Sequence, residues 1–441
     1  MAGNSTAKNI DLRQRDHASY GVSLPESTQS RNEMAARLPA FARALVHRNF
    51  RLFWTGNFLS NIGTWMQNIA QGWLVLQLEP AHSSLWLSLV GFASSAPMLL
   101  FTLVGGAIAD RANKRKLMFL TQGSMMVVAF LLWGLTASHR ITALQIVVLA
   151  FLTGTAMSLN APTYQSMVPA LVPREDLGNA IALNSVQFNL SRIVGPTLGG
   201  LCMAWIGISG NFLLNALSFV AVLLALAWIS YPPAPKLPPG ASMIGTIFEG
   251  FRYVHEHRVM QHIVLLLSLV SLCGFPYMSF IPYFAKQILH RQETGFGLLM
   301  AASGVGAVLG ATLVVSRRKR HRSGRFVALA GTSFFTLIAA FCFSTNFYLS
   351  ALLLAGIGFA MICLVSTCNT LLQHLSEDHM RGRVMSLYAL SFFGGAPAGS
   401  LAAGALASHY GVPFALAGMN LAALLAVAAI YLSSRPLQKL D

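Results

Sequence analysis

Apolar stretches of about 20 residues alternate with short polar segments from Leu52 to Tyr431, and about 20 apolar residues suffice for a helix to cross a bilayer's hydrocarbon core. The pattern predicts helices over 52–78, 85–109, 116–138, 141–168, 178–205, 210–230, 258–286, 293–315, 326–345, 347–372, 383–408 and 413–433. In hydrocarbon every backbone N–H and C=O needs an internal partner, so such segments must be helical. The expectation is an all-α membrane protein with twelve transmembrane helices. The remaining segments are a polar tail over 1–51, a Pro-rich and then basic central loop over 231–257, and a short tail over 434–441. Within the first tail, Leu38–Phe50 spaces apolar residues as an interfacial helix would.

Composition agrees, with 55% hydrophobic and 10% charged residues. The net charge of +16 would point to nucleic acid in a soluble protein, but its placement gives another reason. Of 30 Lys and Arg, only Arg140, Lys286 and Arg291 fall in one set of loops, and Arg192 falls inside a span. The rest occupy the tails and the alternate loops. Lys and Arg are retained in the cytoplasm, so both termini are expected there, and no nucleic-acid partner is expected. The polar first 36 residues lack the apolar core of a cleavable signal. Cys202, Cys273, Cys342, Cys363 and Cys368 all fall in spans and read as small core residues, with no disulfide framework or metal pair. No nucleophile–base pair, metal cluster or phosphate loop is visible, so neither an enzyme nor a cofactor is expected.

The chain repeats at an offset of 204. Gly106 falls on Gly310, Gly195 on Gly399, Gly200 on Gly404 and Gly207 on Gly411, and Leu171-x6-Gly178 falls on Leu375-x6-Gly382. The expected architecture is therefore two pseudo-symmetric six-helix bundles, 52–230 and 258–433. Two such halves around a midplane cavity form a transporter plan in which one half rocks against the other.

The loop after the second span reads Gly105-Gly106-Ala-Ile-Ala-Asp110-Arg111-Ala-Asn113-Lys114-Arg115. It resembles the signature G-x-x-x-D-R-x-G-R-[RK] of the major facilitator superfamily. The resemblance implies a conformational latch made by Gly106, Asp110, Arg111, Lys114 and Arg115, with Gly106 permitting close packing and Asp110 placed to pair with the basic residues beside it or to cap a neighbouring helix, implied to be helix 11. Asn113 stands where the family has Gly; Asn tolerates a left-handed turn. The second-half copy has Val314 in place of the Asp, so only the first copy is expected to latch. In the fifth span, Ser191-Arg192-Ile-Val-Gly195-Pro196-Thr-Leu-Gly199-Gly200 is similar to the superfamily's antiporter motif. Pro196 removes a backbone bond and bends the helix, while Gly195, Gly199 and Gly200 let another helix approach. Stretches from Asn49 to Met66 and from Pro173 to Ala180 resemble the drug:proton antiporter branch that includes enterobactin-type siderophore exporters and macrolide efflux proteins. The resemblance implies a monomeric exporter of small amphipathic molecules, driven by protons, in a bacterial cytoplasmic membrane. Lysophospholipid or metabolite transport, or a non-transporting sensor or scaffold, are the other readings. Ala150 sits about where many members of the branch carry a basic residue.

The first span carries a polar stripe, Asn57, Asn61, Thr64, Asn68 and Gln71, within roughly 80° of helical arc. Lipid would not tolerate that face, so it meets protein or a wet cavity. Asn160, Tyr164, Asn184, Gln187 and Ser191 extend the candidate lining, with interhelical hydrogen bonding as the competing role. Arg192 is the one ionisable group deep in a span, and no Asp or Glu lies mid-span beside it. It is a candidate contact for an anionic substrate. Asp110, Glu79, Glu293 and His262 are the candidates for carrying protons.

Overall fold

The computed structural model describes residues 40–229, 243–316, 323–377 and 379–433, without the side chains of 40–41, 102–107, 109–111 and 243–248. Among the described residues the secondary structure is helical throughout. We number the helices α1 Arg48–Leu78, α2 Ser83–Arg111, α3 Lys114–Ala137 and α4 Ala143–Leu171. The next element, Leu177–Trp228, is broken at Gly207, where φ is +76°; the segment before the break is α5 and the one after it α6. An additional helix, α7 Met243–Glu256, precedes α8 Arg258–Leu269, a π-turn Val270–Gly274, α9 Pro276–Tyr283 and a second π-turn Phe284–Ile288. The chain continues with α10 Glu293–Ser316, α11 Ser323–Cys342, α12 Phe347–Leu375, α13 Arg381–Gly394, α14 Ala396–Tyr410 and α15 Val412–Ser433.

Among the described residues, ten helical stretches are long and apolar enough to cross a membrane. One of them, Arg174–Trp228, has 55 residues, about 80 Å if straight, more than twice the ~30 Å hydrocarbon thickness. Gly207 resolves that excess by reversing the chain. Gly411, its partner in the sequence repeat, has φ +81° and turns the chain between α14 and α15. A positive φ costs a residue with a Cβ about 1 kcal/mol or more, which is why both turns carry glycine. The α1 helix is not among the ten, because its polar stripe lowers its hydropathy, although its 31 residues give ample length.

Local chemistry sets several helix ends. Thr142 and Gln145 form a reciprocal capping box at the start of α4, and Asn346 accepts from the Tyr348 and Leu349 N–H groups at the start of α12. Asn113 does the same for α3, accepting from Lys116 N at 3.1 Å. Its φ of −65° and ψ of 107° are extended, so the left-handed turn anticipated for this position is not formed. Asn replaces the family's Gly here as a helix cap.

Two segments read as cytoplasmic tail and loop are packed on the bundle. The stretch before α1 forms a 3-10 turn, Ala40–Val46, whose Ala44 joins Phe50, Phe53, Met167 and Leu171 in one apolar cluster. His47 Nε2 lies 2.7 Å from Asp176 Oδ2 and Arg43 3.6 Å from Oδ1, tying this turn to the start of α5. The α7 helix buries Val254 and is held by a 2.7 Å ion pair from Arg383 to Glu249.

Candidate transport site

Call the end where α1 begins proximal and the end of the Glu79–His82 connection distal. Contacts between the first half (α1–α6) and the second half (α8–α15) gather toward the distal end. Trp73, near the end of α1, stacks on Phe296 of α10 with centroids 5.8 Å apart and planes 15° from parallel. Its indole N–H donates to Glu293 Oε1 at 2.9 Å, and Lys286 Nζ lies 5.7 Å from its ring. The α5 and α10 helices meet through glycine. A Cβ on Gly200 would lie 2.8 Å from the Glu293 carbonyl oxygen and 3.0 Å from Gly297 Cα; one on Gly297 would lie 2.8 Å from the Pro196 carbonyl oxygen. The α2 helix packs along α14, with Ser88 against Gly404 and Gly91 against Ser279 and Ser400.

These contacts roof a chamber of about 220 Å³. Trp65, Asn68, Gln71 and Leu87 line it from the first half, and Met278, Phe296 and Met300 from the second. A neighbouring chamber of about 250 Å³ shares Gly91, Met278 and Ser279 and is bounded by Phe275 and Phe393. An apolar, partly aromatic wall with a few amides and hydroxyls suits an amphipathic small molecule.

The residues singled out in the sequence fall into distinct places. Asn68 and Gln71 line the first chamber, and Gln71 Nε2 is buried without a hydrogen-bond partner. Lower on the stripe, Asn57 donates to its own helix at Phe53 O and Thr64 to Ser60 O, while Asn61 is half-buried. Asn160 is tied into the bundle, accepting from Thr121 and Gln122 at 3.1 and 3.2 Å. Tyr164 donates to Asn184 Oδ1 at 2.8 Å, with Gln187 Oε1 at 3.2 Å, joining α4 to α5. Ser191 and Arg192 are both buried, and the Ser191 hydroxyl and one terminal nitrogen of Arg192 have no partner. Gly195 and Gly199 receive α1: a Cβ on Gly195 would lie 2.5 Å from Trp65 Cβ, and one on Gly199 2.6 Å from Ile69 Cδ1.

Of the loop after α2, the side chains of Gly106, Asp110 and Arg111 lie outside the described residues. Lys114 Nζ is 3.5 Å from Ser166 O. Arg115 donates from Nε and Nη2 to the Leu226 and Ala227 carbonyls, both at 2.7 Å, capping the end of α6, where the helix dipole favours a cation. Sequence reasoning placed Trp65 only in the branch-like stretch Asn49–Met66 and did not reach Trp73, Tyr277, Met278 or Ser303. The interrupted seventh span, with Pro276 and Pro282, was the available signal.

Residues 40–441 match the family described as transmembrane secretion effector. The chain belongs to that family. Its relatives include exporters of the major facilitator superfamily. It is 25% identical over 405 residues to the staphyloferrin A transporter of Staphylococcus aureus, covering 88% of this chain and 97% of the relative. It is 26% identical to the enterobactin exporter EntS of Shigella boydii, covering 78% of this chain and 81% of that one. It is 27% identical to the multidrug efflux pump Tap of Mycolicibacterium fortuitum, over 82% and 90% of the two chains. Among solved structures, a bacterial homologue of the human lysosomal transporter Spinster, inward-facing and unoccupied, superposes with a TM-score of 0.67 at 14% identity, over 89% of this chain and 98% of that one. The nucleoside transporter NupG superposes with a TM-score of 0.69 at 11% identity, over 86% and 99%. These likenesses establish the transporter fold.

Proposed function

We propose that this protein exports small amphipathic molecules of the siderophore or drug type from the bacterial cytoplasm, by alternating access and proton antiport. Twelve spans make up two six-helix bundles, with both termini cytoplasmic as the Lys and Arg distribution implies. The protein works as a monomer in the cytoplasmic membrane, its helices solvated by the lipid bilayer. The observation that carries the reading is the chamber lined from both halves beneath a closed distal end. Rocking the halves apart at that end would release a bound molecule outward. The kinds of cargo named for the staphyloferrin A, enterobactin and multidrug relatives favour an amphipathic substrate, and the aromatic and amide lining is suited to one.

The test is proton release in inside-out vesicles energised by respiration, with a catecholate siderophore, a macrolide and a lipophilic cation as additions and an empty-vector control. Collapse of the pH gradient by one class, only when the protein is present, supports proton-coupled export. Accumulation of labelled cargo without proton release removes the proton step and leaves export in place.

A further inference from the structure

Arg192 sits midway between Leu177 and Gly207 on α5, about 22 Å from either end of that segment at ~1.5 Å per residue. It is 7% exposed, and its Nη2 has no hydrogen-bond partner among the described residues. A buried guanidinium with a free N–H is costly unless something acidic completes it. Ile193 packs directly on Gly304 of α10, its Cγ1 2.5 Å from where a Cβ would stand; the two helices run antiparallel, so Ser303 lies about 3 Å along the axis from the level of Arg192, within reach of that long side chain. Tyr277, fully buried on α9, is an electrostatic neighbour of Arg192, and Ser303 lies beside its hydroxyl. The Tyr277 hydroxyl nonetheless makes no hydrogen bond of good geometry. The π-turn Val270–Gly274 immediately before α9 resets the rotation of that helix, a device found often at functional sites.

The groups without a partner here, the Arg192 N–H and the Tyr277 hydroxyl, can both donate. An ionised carboxylate is the complementary group, since it only accepts hydrogen bonds and matches the planar fork of arginine. We propose that Arg192, Tyr277 and Ser303 form the site for a carboxylate carried by the transported molecule, with the cation supplied by the first half and the hydroxyls by the second. The chamber is lined by the sequence neighbours of this centre: Met278 follows Tyr277, and Met300 lies one turn from Ser303. It would take the apolar body while the carboxylate reaches Arg192. A ligand held by groups from both halves links occupancy to their relative position, which is what alternating access needs. The inference rests on the export reading for its role and on the buried donors for its chemistry.

The experiment uses the full-length protein in lipid nanodiscs and a matched pair of probes, 1-naphthaleneacetate and its uncharged amide, titrated by calorimetry. Wild type should bind the carboxylate at least about tenfold more tightly than the amide, the scale of a hydrogen bond to a charged group. Arg192→Gln should erase that preference while keeping amide affinity. Tyr277→Phe, a milder change, should weaken the carboxylate about fivefold and leave the amide within about twofold, on the scale of one hydrogen bond; it decides the matter if Arg192→Gln does not fold. Equal binding of both probes to wild type, no binding of the carboxylate, or a preference that survives the substitutions would overturn the proposal. Proton-coupled efflux of a neutral macrolide without any carboxylate preference would sink this site and leave the exporter standing. A preference without transport of any cargo would do the reverse.

Discussion

The indole N–H of Trp73 donates to the Glu293 carboxylate across the two halves of the protein, at 2.9 Å. Trp73 is only 2% exposed, and its ring also stacks on Phe296 and faces Lys286, so one residue holds three partners on the second half. A charge-assisted bond of this kind is worth about 1.5–3 kcal/mol, enough to shift a two-state equilibrium roughly tenfold or more. Glu293→Ala should therefore open the distal end. With Ser279→Cys in the chamber, on a background lacking the native cysteines, labelling by a membrane-impermeant maleimide from outside should rise several-fold over the Glu293 parent. Unchanged labelling would show that the aromatic stack alone keeps that end shut.

Gly200 and Gly207 lie on the same segment and predict different failures. A Cβ at Gly200 would stand 2.8 Å from the Glu293 carbonyl oxygen, and backbone can yield only by moving α5 from α10. Gly200→Ala should cost about 1–3 kcal/mol of that contact and favour the distally open form in the same labelling assay. Gly207 meets nothing within 4 Å but has φ +76°, so Gly207→Ala should cost about 1 kcal/mol of stability and lower the unfolding temperature, with labelling unchanged. If both variants behave alike, the closeness of α5 to α10 has no bearing on the cycle.

Arg115 has a structural part separable from any latch. Its two bonds to the Leu226 and Ala227 carbonyls satisfy the last turn of α6, and losing them should cost about 1–2 kcal/mol. Arg115→Gln should lower the unfolding temperature in detergent. Asp110→Ala, in the same motif, should abolish efflux with expression and unfolding temperature intact. Wild-type efflux from Asp110→Ala would remove the latch implied by the superfamily resemblance.

What could be read in the sequence was what local chemistry dictates. Apolar length marked the spans, and the 204-residue offset paired Gly207 with Gly411 before their shared positive φ was known. The glycines of the fifth span announced close packing, and their neighbours proved to be α1 and α10. Periodicity identifies a polar face but not what the face meets. Asn160 and Asn68 look alike in sequence, yet one is saturated by Thr121 and Gln122 while the other borders the chamber. Tyr277 and Trp73 carry no polar pattern at all; their roles come from partners about 25 to more than 200 positions away that only the folded chain brings near. The α7 helix was hidden for a related reason, since its fixing ion pair joins Glu249 to Arg383.

That contrast among the amides gives the last prediction. Asn68 and Gln71 face the chamber, and the Gln71 amide nitrogen has no protein partner, so truncating either removes little that holds the bundle together. Asn68→Ala and Gln71→Ala should raise the apparent KM for cargo several-fold, a loss of about 1 kcal/mol of binding, with unfolding temperatures close to wild type. Asn160→Ala should do the opposite. It leaves the buried Gln122 amide nitrogen without the Asn160 acceptor and the Thr121 hydroxyl with only the Met118 carbonyl, a cost of about 1–3 kcal/mol, while touching no chamber wall. Its unfolding temperature should fall and its KM, measured on the folded fraction, should hold. A KM change in Asn160→Ala with stability intact would move the transport path from the α1–α9–α10 chamber toward α3 and α4.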